Sequence, residues 1–94
     1  MQPLGIGQIN QLLKNVPDWG LEDNGRCIQR IFEFPDFKKT VEFAEKIVPI
    51  AEAEEHHPEL RIYDGNKIEI KLTTNSVQGL TEKDFKIASE IDKI

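Results

Sequence analysis

The sequence predicts an α+β domain, in which a four-stranded antiparallel sheet carries helices packed on one face, in the order α-β-β-α-β-β-α. Two pairs of apolar-rich segments flank turn-forming residues, Asn24-Gly25 and Asp64-Gly65-Asn66, which predicts two hairpins. Three other segments repeat apolar residues at helical spacing. Hairpins combined with helices form this class of domain. No linker, repeat or low-complexity tract divides the 94 residues, so residues 1–94 are expected to form a single domain.

The first predicted helix spans residues 6–16, where apolar residues recur every three or four positions. Pro17 is expected to end it, because the residue before a proline avoids helical geometry. Residues 19–21 are predicted to form a short strand, followed by a tight turn over residues 22–25. Residues 26–34 then alternate as a longer strand, which makes the first hairpin.

The second predicted helix starts at Asp36, whose side chain can cap it. Its apolar residues form two stripes, one of Phe37, Val41, Ala44, Val48 and Ala51 and one of Phe43, Ile47 and Ile50. A helix with so wide an apolar arc is expected to be covered on two sides, by the sheet and by a second copy of the chain. Pro49 removes a backbone hydrogen bond, so a kink or a break is expected there.

The second hairpin is predicted from residues 60–63 and 67–73, which flank the Asp64-Gly65-Asn66 turn. Residues 74–79 are expected to form a loop. In the third helix, Thr81 and Asp84 are spaced to form a capping box, and Leu80 and Phe85 are spaced to form a hydrophobic staple.

Composition excludes several classes of function. The net charge is −5 and the 12 basic residues are scattered, whereas nucleic-acid binding needs a surplus of basic groups that displace counterions. No stretch approaches the ~20 apolar residues of a membrane helix. The N-terminus lacks the basic start and apolar run of a secretion signal, and Cys27 is the only cysteine. We therefore expect a cytoplasmic protein that binds neither nucleic acid directly nor a membrane.

The segment Glu54-Glu55-His56-His57-Pro58-Glu59 holds both histidines of the chain, between a predicted helix and a predicted strand. Three interpretations are open: a solvated charged loop, a metal site, and a pair of acid–base groups. Adjacent residues of an extended segment point to opposite sides and chelate one ion poorly, which disfavours the metal site. Histidine titrates nearest to neutral pH and can both give and take protons in catalysis.

The chain resembles the pterin-4a-carbinolamine dehydratase family over nearly its whole length. The matching motifs are, in chain order, Trp19, Phe32-Glu33-Phe34-Pro35-Asp36-Phe37, Phe43, Glu55-His56-His57-Pro58, Leu72-Thr73-Thr74 and Gly79-Leu80-Thr81-Glu82-Lys83-Asp84. The His-His-Pro and Gly-Leu-Thr-x-x-Asp motifs are fairly specific together and weak apart.

The resemblance implies an enzyme that removes water from 4a-hydroxytetrahydropterin to give quinonoid dihydropterin, with neither metal nor cofactor. It implies a homodimer or homotetramer, and in some animal members a partnership with a homeodomain transcription factor. By resemblance, His56 is a candidate acid–base residue and His57 holds or polarises the pterin. The remaining pocket residues implied are Glu55, Pro58, Thr73, Thr74, Ser76 and Asp84. Capping of the third helix is the alternative role of Asp84.

The chain departs from the family pattern at Asn75, where the family usually has a histidine. An amide can orient a substrate through hydrogen bonds, but it cannot transfer a proton near neutral pH. We therefore expect either a dehydratase of reduced activity or, as the alternative, a catalytically weak module that binds a pterin or a protein on the same fold. The stretch between His57 and Thr73 is also one residue longer than usual, which the Asp64-Gly65-Asn66 turn can absorb.

Overall fold

The computed structural model describes residues 2–94. Its α-helices are α1 (Ile6–Leu13), α2 (Phe37–Glu54) and α3 (Glu82–Asp92), and its strands are β1 (Gly20–Glu22), β2 (Cys27–Glu33), β3 (Glu59–Tyr63) and β4 (Lys67–Leu72). The strands form one antiparallel sheet in the order β1-β2-β4-β3. The predicted fold class and element order are confirmed. Within the described residues, no helix is long and apolar enough to cross a membrane.

The two central strands, β2 and β4, carry the core of the sheet. Ile68 and Ile70 of β4 and Ile28 of β2 are fully buried on the side that the helices cover. Side chains alternate between the faces of a strand, so the intervening residues point to the other face. That face is open, and Ile31 of β2 is exposed on it.

Both hairpins turn where the sequence predicts. Asn24 and Gly25 have positive φ angles of 54° and 82°, and Asp64 and Gly65 have φ angles of 54° and 75°. This is the left-handed region, which Gly, Asn and Asp adopt more readily than other residues. The turn chemistry therefore fixes where each strand pair begins.

Helix α2 begins at the predicted cap, because the Asp36 carboxylate accepts a hydrogen bond from the backbone N–H of Lys39 at 2.8 Å. The stripe that packs on the sheet contains Phe43, Ile47 and Ala51, together with the buried Thr40. On the other stripe, Phe37 and Val48 are 60% and 54% exposed, and Val41 and Ala44 are half-buried. We refer to Phe37, Val41, Ala44 and Val48 as the open stripe.

The break considered at Pro49 is wrong, because α2 is continuous from Phe37 to Glu54. Pro49 is exposed, so the carbonyl of Glu45 that it cannot bond lies on the solvent side of the helix. The helix ends six residues later at Glu55, whose φ of 51° is left-handed. The N–H of His56 then donates to the carbonyl of Ala51 at 3.1 Å, which completes the helix end.

Candidate functional site

The two histidines lie where α2 passes into β3, and strand geometry separates their rings. Glu59 of β3 pairs with Lys71 of β4. Continuing that register by two residues places His57 opposite Thr73, on the open face of the sheet. His56 then falls on the helix-covered side, because successive residues of an extended chain point to opposite faces. The two imidazoles therefore diverge.

On the helix-covered side, His56 binds Asp84 of the first turn of α3. The distance from His56 Nε2 to Asp84 Oδ1 is 2.6 Å. The Asp84 side chain is 0% exposed and the His56 side chain is 13% exposed. A contact this short to a fully buried carboxylate fixes the plane of the imidazole ring.

The second oxygen of Asp84 is held by two threonines. Thr74 Oγ1 donates to Asp84 Oδ2 at 2.8 Å, and the backbone N–H of Thr81 donates to the same oxygen at 3.0 Å. The Thr74 and Thr81 hydroxyls lie 2.9 Å apart and share a hydrogen bond. We call His56, Thr74, Thr81 and Asp84 the buried network. Asp84 is thus both the predicted cap of α3 and the partner of His56.

The buried network favours one tautomer of His56. An ionised carboxylate only accepts hydrogen bonds, so beside an Asp84 carboxylate Nε2 is the nitrogen that donates. Nδ1 is then the nitrogen left to accept or release a proton. A carboxylate that orients a histidine through its other nitrogen is a common arrangement for acid–base catalysis.

On the open face, a cleft of about 560 Å³ opens at the end of the sheet. Its walls come from the β1–β2 turn, β3, β4 and the loop after β4. The lining residues are Asp23, Arg26, Cys27, His57, Glu59, Lys71, Thr73, Asn75 and Gln78. The volume is within the roughly 300–1,000 Å³ usual for pockets that hold small molecules.

The loop after β4 gives Asn75 its place in the cleft. It contains a short 3₁₀ helix, Asn75–Val77, and is closed by a bridge between Thr74 and Gly79. The N–H of Thr74 donates to the carbonyl of Gly79 at 2.9 Å. Thr73 joins this loop to the β1–β2 turn, because its hydroxyl donates to the carbonyl of Arg26 at 2.6 Å.

The cleft contains groups of both charges. Arg26 and Lys71 are cationic, and Asp23 and Glu59 are anionic. Burial raises the pKa of the Cys27 thiol, and the nearby Lys71 ammonium opposes part of that rise. The cleft is therefore a polar site with one neutral thiol in its wall.

The residues expected at the site fall into three sets. His57, Thr73 and Asn75 line the cleft, whereas His56, Thr74 and Asp84 belong to the buried network. Glu55 and Ser76 are exposed and Pro58 is half-buried, and these three are part of neither group.

Sequence reasoning missed six cleft residues: Asp23, Arg26, Cys27, Glu59, Lys71 and Gln78. The signal for two of them was present, because Lys71 stands two residues before Thr73 and Glu59 two residues after His57. Side chains two residues apart in an extended segment point to the same face, so Lys71 lies on the face of Thr73, and Glu59 on that of His57. Arg26 could not be found in this way, since it reaches the cleft from another hairpin.

A family profile described as pterin 4 alpha carbinolamine dehydratase matches residues 2–94. The chain belongs to this family. A dehydratase-family protein of Sulfolobus acidocaldarius is 40% identical over 91 residues, which cover 97% of each chain. One of Halorhodospira halophila is 35% identical over 92 residues, covering 98% of this chain and 84% of the relative. Both are named provisionally as pterin-4-alpha-carbinolamine dehydratases.

Solved structures of dehydratase-like proteins share the fold. A transcriptional coactivator/pterin dehydratase from Brucella melitensis superimposes with a TM-score of 0.89 at 30% identity, covering 98% of this chain and 97% of that one. A pterin dehydratase-like protein identified as a RuBisCO assembly factor in the alpha-carboxysome has a TM-score of 0.67 at 17% identity, over 81% of this chain and 87% of that one. At that identity the second likeness concerns the fold alone.

Proposed function

We propose that this dehydratase-family chain removes water from 4a-hydroxytetrahydropterin to give quinonoid dihydropterin. The observation that carries the proposal is the cleft, which gathers His57, Thr73 and Asn75, while His56, the chain neighbour of His57, is bound to Asp84. These five residues come from three separate parts of the sequence. Their meeting at one end of the sheet supports a common role.

The reaction requires two proton transfers. The 4a-hydroxyl leaves as water and must receive a proton, while a ring nitrogen must lose one. We assign one of these transfers to Nδ1 of His56, because Asp84 occupies Nε2 and holds the ring in place. This assignment requires the pterin to extend from the cleft to the exposed edge of the His56 ring. His56 is the chain neighbour of His57, which lines the cleft.

We assign the binding of the pterin to the cleft residues. The side chain of His57 is 65% exposed, and the one polar contact of its ring among the described residues is with Glu52 at 3.4 Å, so the ring is accessible to a ligand. The amide of Asn75 can hydrogen-bond the donor and acceptor edge of a pterin, although it cannot exchange a proton. Asn75 thus favours binding over fast turnover.

Dehydration of freshly made 4a-hydroxytetrahydropterin tests the proposal. The purified chain should accelerate the reaction above its spontaneous rate. His56→Gln should reduce kcat by about 10²-fold or more, because general acid–base groups typically contribute 10²–10⁴-fold. His57→Gln should act mainly on KM. A wild-type chain that gives no acceleration at micromolar concentration would remove the dehydratase assignment.

The second candidate is a binding or interaction module with little catalysis. Asn75 supports it, and so does the RuBisCO assembly role of the distant dehydratase-like protein, which shows that this fold serves other tasks. Asn75→His separates the two candidates. If a proton-transfer group is what limits the chain, the folded variant should be faster than wild type. An unchanged rate would contradict that explanation.

A further inference from the structure

We propose that Lys71 is the second proton-transfer residue of the cleft and donates the proton to the departing 4a-hydroxyl. This inference rests on the proposed dehydratase function. It starts from the chemical requirement for two proton-transfer groups, of which His56 supplies one. Asn75, which occupies the other expected position, cannot supply the second.

Strand geometry places Lys71 in the cleft wall. Lys71, Thr73 and Asn75 all line the cleft, and the first two occupy alternate positions at the end of β4. On the neighbouring strand, Glu59 pairs directly with Lys71. The Lys71 side chain is 41% exposed, so its ammonium can meet a ligand from solvent.

Its closest carboxylate is Glu69, at 3.9 Å from Nζ to Oε1. At this distance the contact lies at the limit of an ion pair and does not fix the ammonium in place. Burial raises the pKa of the Cys27 thiol in the wall of the same cleft, and the Lys71 charge opposes part of that rise. Lys71 itself lines that cleft.

His57 is assigned to binding of the pterin, and two other donors of the cleft are less suited to this step than Lys71. A guanidinium is a much weaker acid than an ammonium, so Arg26 is the poorer proton donor. The Cys27 thiol is buried, which leaves it poorly placed to reach a substrate oxygen.

The carboxylates are unsuited for the opposite reason. Asp23 and Glu59 are acceptors rather than donors when ionised. The Lys71 side chain ends in an ammonium, whose N–H groups are donors, and hydroxide is a far stronger base than an amine, so the transfer to a departing hydroxyl is downhill.

The proposed step balances as follows. The bond between C4a and the hydroxyl oxygen breaks with its electron pair leaving on oxygen, and that oxygen takes a proton from the Lys71 ammonium, so water departs. The N–H bond of the adjacent ring nitrogen breaks, its electron pair forms the double bond to C4a, and His56 Nδ1 takes the proton. Exchange with solvent water then returns the proton to Lys71 and removes the one on His56. No oxidant or reductant is needed.

Lys67 provides a matched control, because it stands on the same strand and the same face as Lys71 but outside the cleft. In the full-length chain, Lys71→Gln should lower kcat by about 10²-fold. Lys67→Gln should stay within about twofold of wild type, as surface substitutions usually do. Lys71→Arg keeps the charge but is a much weaker acid, so its kcat should be as low as that of Lys71→Gln.

Three outcomes would overturn the proposal. Equal activity of Lys71→Gln and Lys67→Gln would exclude a catalytic role for Lys71 while leaving the dehydratase function in place. Recovery by Lys71→Arg, or a loss confined to KM and to the affinity for a dihydropterin product, would show that only the charge matters. An inactive wild-type chain would overturn the dehydratase function and this step together.

Discussion

His56 and His57 are adjacent in sequence and have different surroundings in the fold. His56 is bound to a buried carboxylate and is 13% exposed, while His57 lines an open cleft and is 65% exposed. The difference follows from the extended backbone between them, which sends neighbouring side chains to opposite sides. Two residues of one type can therefore serve two roles without any insertion between them.

The buried network makes Thr74 important for stability. Thr74→Val removes the hydroxyl that donates to Asp84, and it should lower the free energy of unfolding by about 1–3 kcal/mol, the usual cost of leaving a buried polar group short of a partner. Thr74→Ser keeps the hydroxyl and should recover most of the loss. Urea unfolding followed by circular dichroism measures all three proteins.

Thr40→Val is the matched control for this prediction. Thr40 is also a buried threonine, and its hydroxyl donates to the backbone carbonyl of Asp36 at 2.9 Å rather than to a charged group. Its loss should cost about 1 kcal/mol. A cost for Thr74→Val no larger than that for Thr40→Val would contradict the proposed importance of the bond to Asp84.

The thiol of Cys27 reports on the charge of Lys71. Burial raises its pKa above that of an ordinary cysteine, so less of the reactive thiolate is present at a given pH and alkylation should be slow near neutrality. Lys71→Gln removes the charge that lowers this pKa, so the pH midpoint of alkylation should rise further. Iodoacetamide labelling followed by mass spectrometry measures it at the only cysteine of the chain.

Lys67→Gln should leave the alkylation midpoint of Cys27 where it is in the wild-type chain, because Lys67 does not contribute to the pKa shift of Cys27. A midpoint that stays constant or falls in Lys71→Gln would place the ammonium away from the cleft. That result would also weaken the catalytic role proposed for Lys71.

At the scale of elements, α2 sets the position of the site because its last turn leads directly into the histidines. It remains continuous across Pro49, although proline in a helix interior removes a hydrogen bond and disfavours the helix. Packing of Phe43, Ile47 and Ala51 on the sheet maintains the helix on both sides of this residue. Tertiary contacts here override a local preference.

Pro49→Ala should therefore stabilise the chain. The substitution restores a hydrogen-bond donor to the carbonyl of Glu45, which raises the free energy of unfolding. Part of this gain is lost because the unfolded chain has more conformational freedom without proline. The net increase should be about 1–2 kcal/mol. Thermal unfolding measures the change. Pro35→Ala, just before the cap of α2, should give no such gain, and a loss of stability in Pro49→Ala would contradict the argument.

At the scale of the whole molecule, the open stripe of α2 is only partly covered by the described residues. Phe37 and Val48 are large apolar residues exposed on one helix face. Contiguous exposed apolar surface commonly marks a protein interface. The sequence-based expectation that a second copy covers this face stays a prediction.

Val48→Glu tests that prediction by placing a carboxylate in the open stripe. If a second copy packs there, the wild-type chain should be larger than a monomer in light scattering and the variant should shift toward the monomer. Lys46→Glu brings the same side chain to another side of the same helix and should not change the size. A wild-type chain that is monomeric throughout would remove the expected assembly.

The sequence by itself determined the fold class, the order of the elements, both turns, and the caps of α2 and α3. These features depend on short-range patterns: alternation in β4, apolar spacing in the helices, and the residue types at Asn24-Gly25 and Asp64-Gly65. Each is decided within a few residues of the chain, where local sterics and hydrogen bonding dominate. The sequence motifs also indicated several residues of the candidate site.

Only the tertiary structure decided how those residues are grouped. The pairing of His56 with Asp84 joins positions 28 residues apart, and Arg26 reaches the cleft from a hairpin distant in sequence. Local patterns carry no information about such distances, because they depend on how the sheet register and the helix packing bring separate segments together. The same packing determines which apolar stripe of α2 is buried against the sheet and which is exposed.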